Sequence, residues 1–199
     1  MKKIGIFGGT FNPIHIAHTT IADIFVKQLE LDICFFIPTF ISPFRQNEAN
    51  QASAEDRLAM AKLAISNNSK FQIDDFEIQQ QGISYTINTI LHFKAKFPDS
   101  IIYLLIGGDQ AEHFDNWYNW QEILYHAKLC IAQRPLVDYS SNSIFMKLAI
   151  NSEMPIIIDT PLMEISSTQI KENIKQHKPT AGLLKEEVAE YIQRKGLYL

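Results

Sequence analysis

The sequence predicts an α/β protein: an open, mostly parallel sheet with helices on both faces. Two observations carry this. Runs such as "IIYLLI" (101–106) and "DICFFI" (32–37) are apolar throughout rather than alternating, which suits strands covered on both sides. Strand-like runs also alternate along the chain with segments of helical period, the pattern of β-α-β units.

Taken in order, "KIGIF" (3–7) is the first strand, and Ala17, Ile21, Ile24, Phe25 and Leu29 recur at helical spacing behind it. "DICFFI" follows, then a loop around 38–52. Residues 53–65 form a helix with Ser53 as N-cap and acids in its first turn. "FQIDDFEI" reads as one or two short extended pieces, and 84–98 as a helix ending before Pro98. After the strand 101–106 comes an aromatic-rich segment, 114–126. "AKLCIAQ" (127–133) and "MPIIID" (154–159) complete the strands, and 166–176 and 185–196 the helices, with Gly196 as a C-cap. Repeats, low-complexity tracts and Gly/Ser linkers do not interrupt the chain, so one domain spanning 1–199 is expected. Strand order stays open.

Composition narrows the function. A net charge of −4 and a pI near 5.8 disfavour a grip on long nucleic acid but leave small phosphorylated ligands open. Cys34 and Cys130 lie in apolar runs and read as buried free thiols. Neither a signal peptide nor a membrane span is expected, and the cytoplasm is the expected compartment.

"GGTFNPIHIAH" (8–18) joins the first strand to the first helix, where parallel sheets open their binding crevice. Gly8 and Gly9 are expected to turn the chain sharply and let a ligand approach. Asn12-Pro13 is a plausible helix entry, and the free amides at that helix start favour a phosphate. His15 and His18, three apart, can both donate to phosphate oxygens. The P-loop and the dinucleotide G-x-G-x-x-G are absent.

In "ISSTQIKENI", Ser166 and Gln169 match a capping box. Ser166, Ser167 and Thr168 add hydroxyls beside free amides, and Lys171 a charge one turn on, a set suited to a polyphosphate. In "GGDQAEHFDNWYNW", Asp109 stands at a strand end, where a carboxylate binds ribose hydroxyls or a metal. Trp120 reads as packing, whereas Trp117 can stack on a flat ring.

Together these stretches resemble the nucleotidyltransferases with the H-x-G-H signature, and more narrowly the bacterial nicotinate-nucleotide adenylyltransferases. "GGTFNPIHIAH" matches the opening pattern G-G-T-F-D-P-I-H-x-G-H, and "ISSTQIK" the closing I-S-S-T-x-I-R. "DRLAMAKLA", "GISYTINTI", "IGGDQAEHFDNW" and "QRP" fall between them in family order, so the likeness covers nearly the whole chain.

The resemblance implies a Rossmann-like fold and adenylyl transfer from ATP to nicotinate mononucleotide, with Mg2+ arriving on the ATP and no metal held by the protein. It implies His15, His18 and Lys171 as catalytic, and Gly8, Gly9, Thr10, Phe11, Ser166, Ser167 and Thr168 along the ATP. For the acceptor it implies Thr86, Asp109, Trp117, Arg45 and Arg134. Acceptance of nicotinamide mononucleotide or phosphopantetheine, or a nucleotide sensor without turnover, are the alternatives. Membranes and nucleic acid are not expected partners, and a homo-oligomer is left open. Four positions depart from the family pattern: Asn12 for Asp, Ala17 for Gly, Phe44 for His, and Lys171 for Arg, which loses the guanidinium fork.

Overall fold

The computed structural model describes residues 1–44, 52–133 and 154–199. Six strands, β1 (Lys3–Gly9), β2 (Ile33–Pro38), β3 (Phe71–Ile73), β4 (Ile101–Gly107), β5 (Lys128–Gln133) and β6 (Ile156–Asp159), form one sheet. The order is 3-2-1-4-5-6 and every pairing is parallel. This is the strand order of the doubly wound dinucleotide-binding folds, with its switch point between β1 and β4.

The helices among the described residues are α1 (Ile16–Leu29), α2 (Ala54–Ile65), α3 (Phe76–Gln80), α4 (Thr86–Lys96), α5 (Gly108–Ala111), α6 (Trp120–His126), α7 (Ser167–Lys175) and α8 (Glu186–Lys195), with a 3-10 turn at Phe114–Asn116. One expectation changes here. "FQIDDFEI" is extended only over Phe71–Ile73, and its second half opens α3. The Asp74 side chain accepts from the Phe76 amide, and this local bond turns the chain out of the sheet.

Strands β1, β2, β4 and β5 each feed two cores. Phe7, Phe36, Leu105 and Cys130 face α1, α2, α7 and α8, where Phe25, Met60, Ile170, Val188 and Ile192 meet them. Ile6, Phe35, Leu104 and Ile131 face the other way, onto Ile87, Ile90, Phe93 and Ile123 of α4 and α6. With apolar layers on both sides, neither register of alternation is needed, which is why the strands read as continuous apolar runs. Gly5 belongs to the first layer. A Cβ there would lie 2.7 Å from both Phe25 and Leu31, so α1 packs against bare backbone. Both cysteines are free and buried, and burial pushes the Cys130 thiol up to about 12 and Cys34 higher still.

Helix ends follow the local chemistry. The Ser53 hydroxyl accepts from the Asp56 amide at the start of α2, and the Ser166 hydroxyl from the Gln169 amide at the start of α7. Gly196 closes α8 in the left-handed conformation, at φ 61°.

Candidate active site

The carboxyl ends of β1 and β4 bring together the segments singled out in the sequence. Gly8 and Gly9 still belong to β1, so the reversal does not fall on them. It falls on Phe11, at φ 48°, whose ring is buried against Phe7 and Phe36. The ring's burial holds the residue in a conformation that glycine alone adopts without cost. The glycines serve close approach instead. A Cβ on Gly8 would project into open space above the sheet end, and one on Gly9 would press on the Phe11 ring at 3.0 Å. Pro13 lies before the helix rather than inside it, because α1 is capped by His15 in extended conformation (φ −141°, ψ 172°).

His15 and His18 form a pair through that cap. The His15 amide donates to His18 Nδ1 at 3.1 Å, and the rings lie 3.7 Å apart between centroids, tilted by 30°. Since Nδ1 of His18 accepts, the neutral ring carries its proton on Nε2, which is thereby a donor. Burial lowers the His15 pKa to about 4. Burial, and then the charge of His15, hold His18 well below the ordinary histidine value. Both rings are therefore neutral donors at pH 7. Phe11 stands edge-on to His18 at 5.2 Å and fixes its plane. Nδ1 of His15 is buried with no partner among the described residues, a cost that a bound acceptor or donor would relieve.

The start of α7 is tied to the same loop, for the Ser167 hydroxyl donates to the Pro13 carbonyl at 3.0 Å. Of the three predicted hydroxyls, Ser166 is thus the cap, Ser167 the tie, and Thr168 is exposed at the helix start. Lys171, one turn on, makes no ion pair among the described residues. Two helix starts, α1 and α7, each with a positive dipole end, converge on one space.

A second group surrounds the start of α4. The Ile41–Ile83 bridge lays the chain after β2 beside the loop that leads into α4. Thr86 is the first residue of α4, ahead of Asn88, whose amide is taken by the Tyr85 carbonyl. Trp117 is half-buried against Phe114 and faces Phe44 at 6.2 Å, while Tyr85 and Tyr118 meet at 4.8 Å. Trp120 packs on Phe114, as expected. Asp109 lies at the head of α5, directly beyond β4. Arg45 and Arg134 lie outside the described residues.

The sequence reading missed Arg57, which is 2% exposed. Its guanidinium donates to the carbonyls of Thr10 (2.8 Å), Phe40 (3.1 Å) and Ala52 (3.3 Å), so one side chain fixes the loops after β1 and β2 and the start of α2. The signal was there: Arg57, Met60, Ala61 and Ala64 share one face of α2, so a cation sits on an apolar stripe. Asn12, in the place of the family's Asp, accepts from the Ala52 amide at 3.1 Å and the Tyr198 hydroxyl at 2.7 Å.

A parallel doubly wound sheet with neutral imidazole donors and two helix starts at its switch point defines a nucleotide-phosphate-binding α/β protein. Residues 6–173 match the cytidylyltransferase-like family. The chain is 38% identical over 198 residues to a probable nicotinate-nucleotide adenylyltransferase of Enterococcus faecalis, covering 99% of this chain and 85% of that one. It is 35% identical over 199 residues to the nicotinate-nucleotide adenylyltransferase of Bacillus subtilis, covering 100% and 99%. It belongs to the nicotinate-nucleotide adenylyltransferase family of nucleotidyltransferases. The fold is shared with a nicotinic acid mononucleotide adenylyltransferase of Plasmodium falciparum solved with NaAD, at a TM-score of 0.81 and 19% identity, covering 100% of this chain and 98% of that one.

Proposed function

We propose that the protein transfers the adenylyl group of ATP to nicotinate mononucleotide, giving nicotinate adenine dinucleotide and pyrophosphate in NAD biosynthesis. A 5′-phosphate oxygen of the acceptor attacks the α-phosphorus in line. The bond from that phosphorus to the oxygen bridging it to the β-phosphate breaks, and its electron pair leaves on pyrophosphate. The nucleophile is already ionised at pH 7, so the reaction asks the protein for alignment and charge stabilisation and for no base.

The observation that carries the reading is the neutral His15–His18 pair at the first turn of α1. Nε2–H of His18 donates to oxygens around the α-phosphorus, with His15 beside it. Gly8, Gly9, Thr10 and Phe11 line the nucleotide, and the start of α7 with Thr168 and Lys171 takes the β- and γ-phosphates. Ser167 holds that helix start in place through Pro13. The amides of Thr86 and the next residue receive the nicotinate carboxylate, Trp117 stacks on the pyridine ring opposite Phe44, and Asp109 binds ribose hydroxyls. Arg45 and Arg134, outside the described residues, are assigned to the acceptor by the family resemblance alone. Magnesium comes as the ion bound to ATP, held by phosphates and water. Among the described residues no group of three His, Cys, Asp or Glu side chains is placed to hold a metal, and no helix is long and apolar enough to cross a membrane. The cytoplasm is the compartment this reading assigns.

The test is incubation with Mg-ATP and, separately, nicotinate mononucleotide, nicotinamide mononucleotide and phosphopantetheine, with pyrophosphate and the adenylylated product measured. The acid acceptor is expected to react fastest. Product formed only from phosphopantetheine, or ATP binding without turnover on any acceptor, would overturn the reading.

A further inference from the structure

Glu77 of α3 is 7% exposed, and its carboxyl lies between the two halves of the site. Oε1 accepts from the Thr89 hydroxyl of α4 at 2.5 Å. The Ser84 hydroxyl accepts from the Phe40 amide at 2.9 Å, and the same hydroxyl lies close enough to the Glu77 carboxyl to favour its ionised form. The Ser84 amide donates to the Ile41 carbonyl at 2.9 Å, tying the same two segments a second time. Phe40 in turn gives its carbonyl to Arg57, and Arg57 holds the Thr10 carbonyl of the β1–α1 loop. A line of polar contacts, hydrogen bonds at every link but that between Glu77 and Ser84, therefore runs from α4 through Thr89, Glu77, Ser84, Phe40 and Arg57 to Thr10.

The ends of that line are the two substrate regions of the proposed reaction. A purely structural plug would not call for a carboxyl here. Oε2 is buried without a partner among the described residues, and burial raises the Glu77 pKa, opposed by Thr89, Ser84 and the charge of Arg57 and reinforced by Asp74. Asp74 is itself paired with Lys96 at 2.8 Å. We infer that Glu77 is a positioning residue for the acceptor: through Ser84 and Thr89 it sets the N-terminus of α4 at a fixed place relative to the Arg57-held phosphate loop. The inference rests on the proposed reading of α4 as the acceptor's anchor.

Glu77→Gln keeps the shape and one acceptor oxygen but replaces the other oxygen by an amide NH2, which cannot accept from a hydroxyl. The expected result is a rise in KM for nicotinate mononucleotide of about tenfold, the upper end of the effect of losing one hydrogen bond. KM for ATP and kcat should change by less than about twofold, within the scatter of surface substitutions. Thr89→Val should shift the acceptor KM in the same direction and Thr89→Ser should restore it, so the inference stays testable should Glu77→Gln not fold. Amide hydrogen exchange without substrates gives an independent reading: in Glu77→Gln, or in Thr89→Val, residues 39–41 and 84–88 should exchange faster while 8–18 keep wild-type rates. Equal changes in both KM values, or unchanged exchange at 84–88 in a folded variant, overturn the inference. Absence of turnover with nicotinate mononucleotide in the wild type would instead sink the functional reading, and the exchange experiment would still decide the role of Glu77.

Discussion

At the scale of single residues, His18 concentrates the chemistry. Its Nδ1 is committed to the His15 amide, its ring to Phe11, and its remaining nitrogen is a donor at the switch point of the sheet. If Nε2–H stabilises the charge that develops at the α-phosphorus, His18→Ala lowers kcat by roughly 10²–10³, the usual effect of one preorganised donor. Near-wild-type kcat in a folded variant would dismiss the role. The same burial makes the pair acid-sensitive. Both folded pKa values lie below the unfolded value of about 6.5, so between the two values the unfolded chain binds more protons and stability rises with pH. The contribution is complete above about pH 6.5 and is lost as pH falls through 6 toward 4, at up to about 1.4 kcal/mol per pH unit for each ring. Urea midpoints between pH 7 and 4.5, wild type against His18→Gln, measure it. The variant should lose less stability on acidification, and parallel curves would show that His18 is not the titrating group. The i, i+3 spacing of the two histidines was legible in the sequence, but their cap was not, because which residue ends the loop depends on Phe11 being anchored in the core.

At the scale of elements, the site is two helix starts joined by a loop bond. Ser167 lies next to the N-cap and donates across the sheet end to Pro13, 154 residues away in sequence. Ser167→Ala removes that tie and leaves the cap Ser166 intact, so the helix should persist with a stability loss near 1 kcal/mol. KM for ATP should rise several-fold while the acceptor KM holds, if α7 carries the outer phosphates. A rise confined to the acceptor KM would contradict the assignment. The strands were readable as continuous apolar runs and the long helices by their period, with recognisable caps at Ser53, Ser166 and Gly196. The α3 turn was not readable. Its five residues are too short for a helical period to stand out, and what turns them is the Asp74–Phe76 bond.

At the scale of the whole molecule, the loops over the sheet are held by buried polar groups as well as by the Phe11 ring in the core. Asn12 gathers the start of α2 and the C-terminal Tyr198, and Arg57 gathers the loops after β1 and β2 and the start of α2. Apart from the local Arg57–Ala52 bond, these link residues 17 to 186 positions apart, so no short window of sequence contains both partners. Arg57→Met keeps the length and the apolar fit of the stripe but leaves three carbonyls, of Thr10, Phe40 and Ala52, without their donor. An unsatisfied buried polar group costs about 1–3 kcal/mol, and carbonyls at loop ends can recover part of that from water. A loss of about 3–4 kcal/mol in denaturant unfolding at pH 7 is therefore expected, near the low end for three such groups. Because the Thr10 and Phe40 carbonyls belong to the ATP and acceptor sides respectively, both KM values should rise together. That separates Arg57→Met from Ser167→Ala, which acts on ATP alone, and from Glu77→Gln, which acts on the acceptor alone. A loss below about 1 kcal/mol with both KM values unchanged would mean that water replaces the guanidinium freely, and that Arg57 does not hold the two halves of the site together.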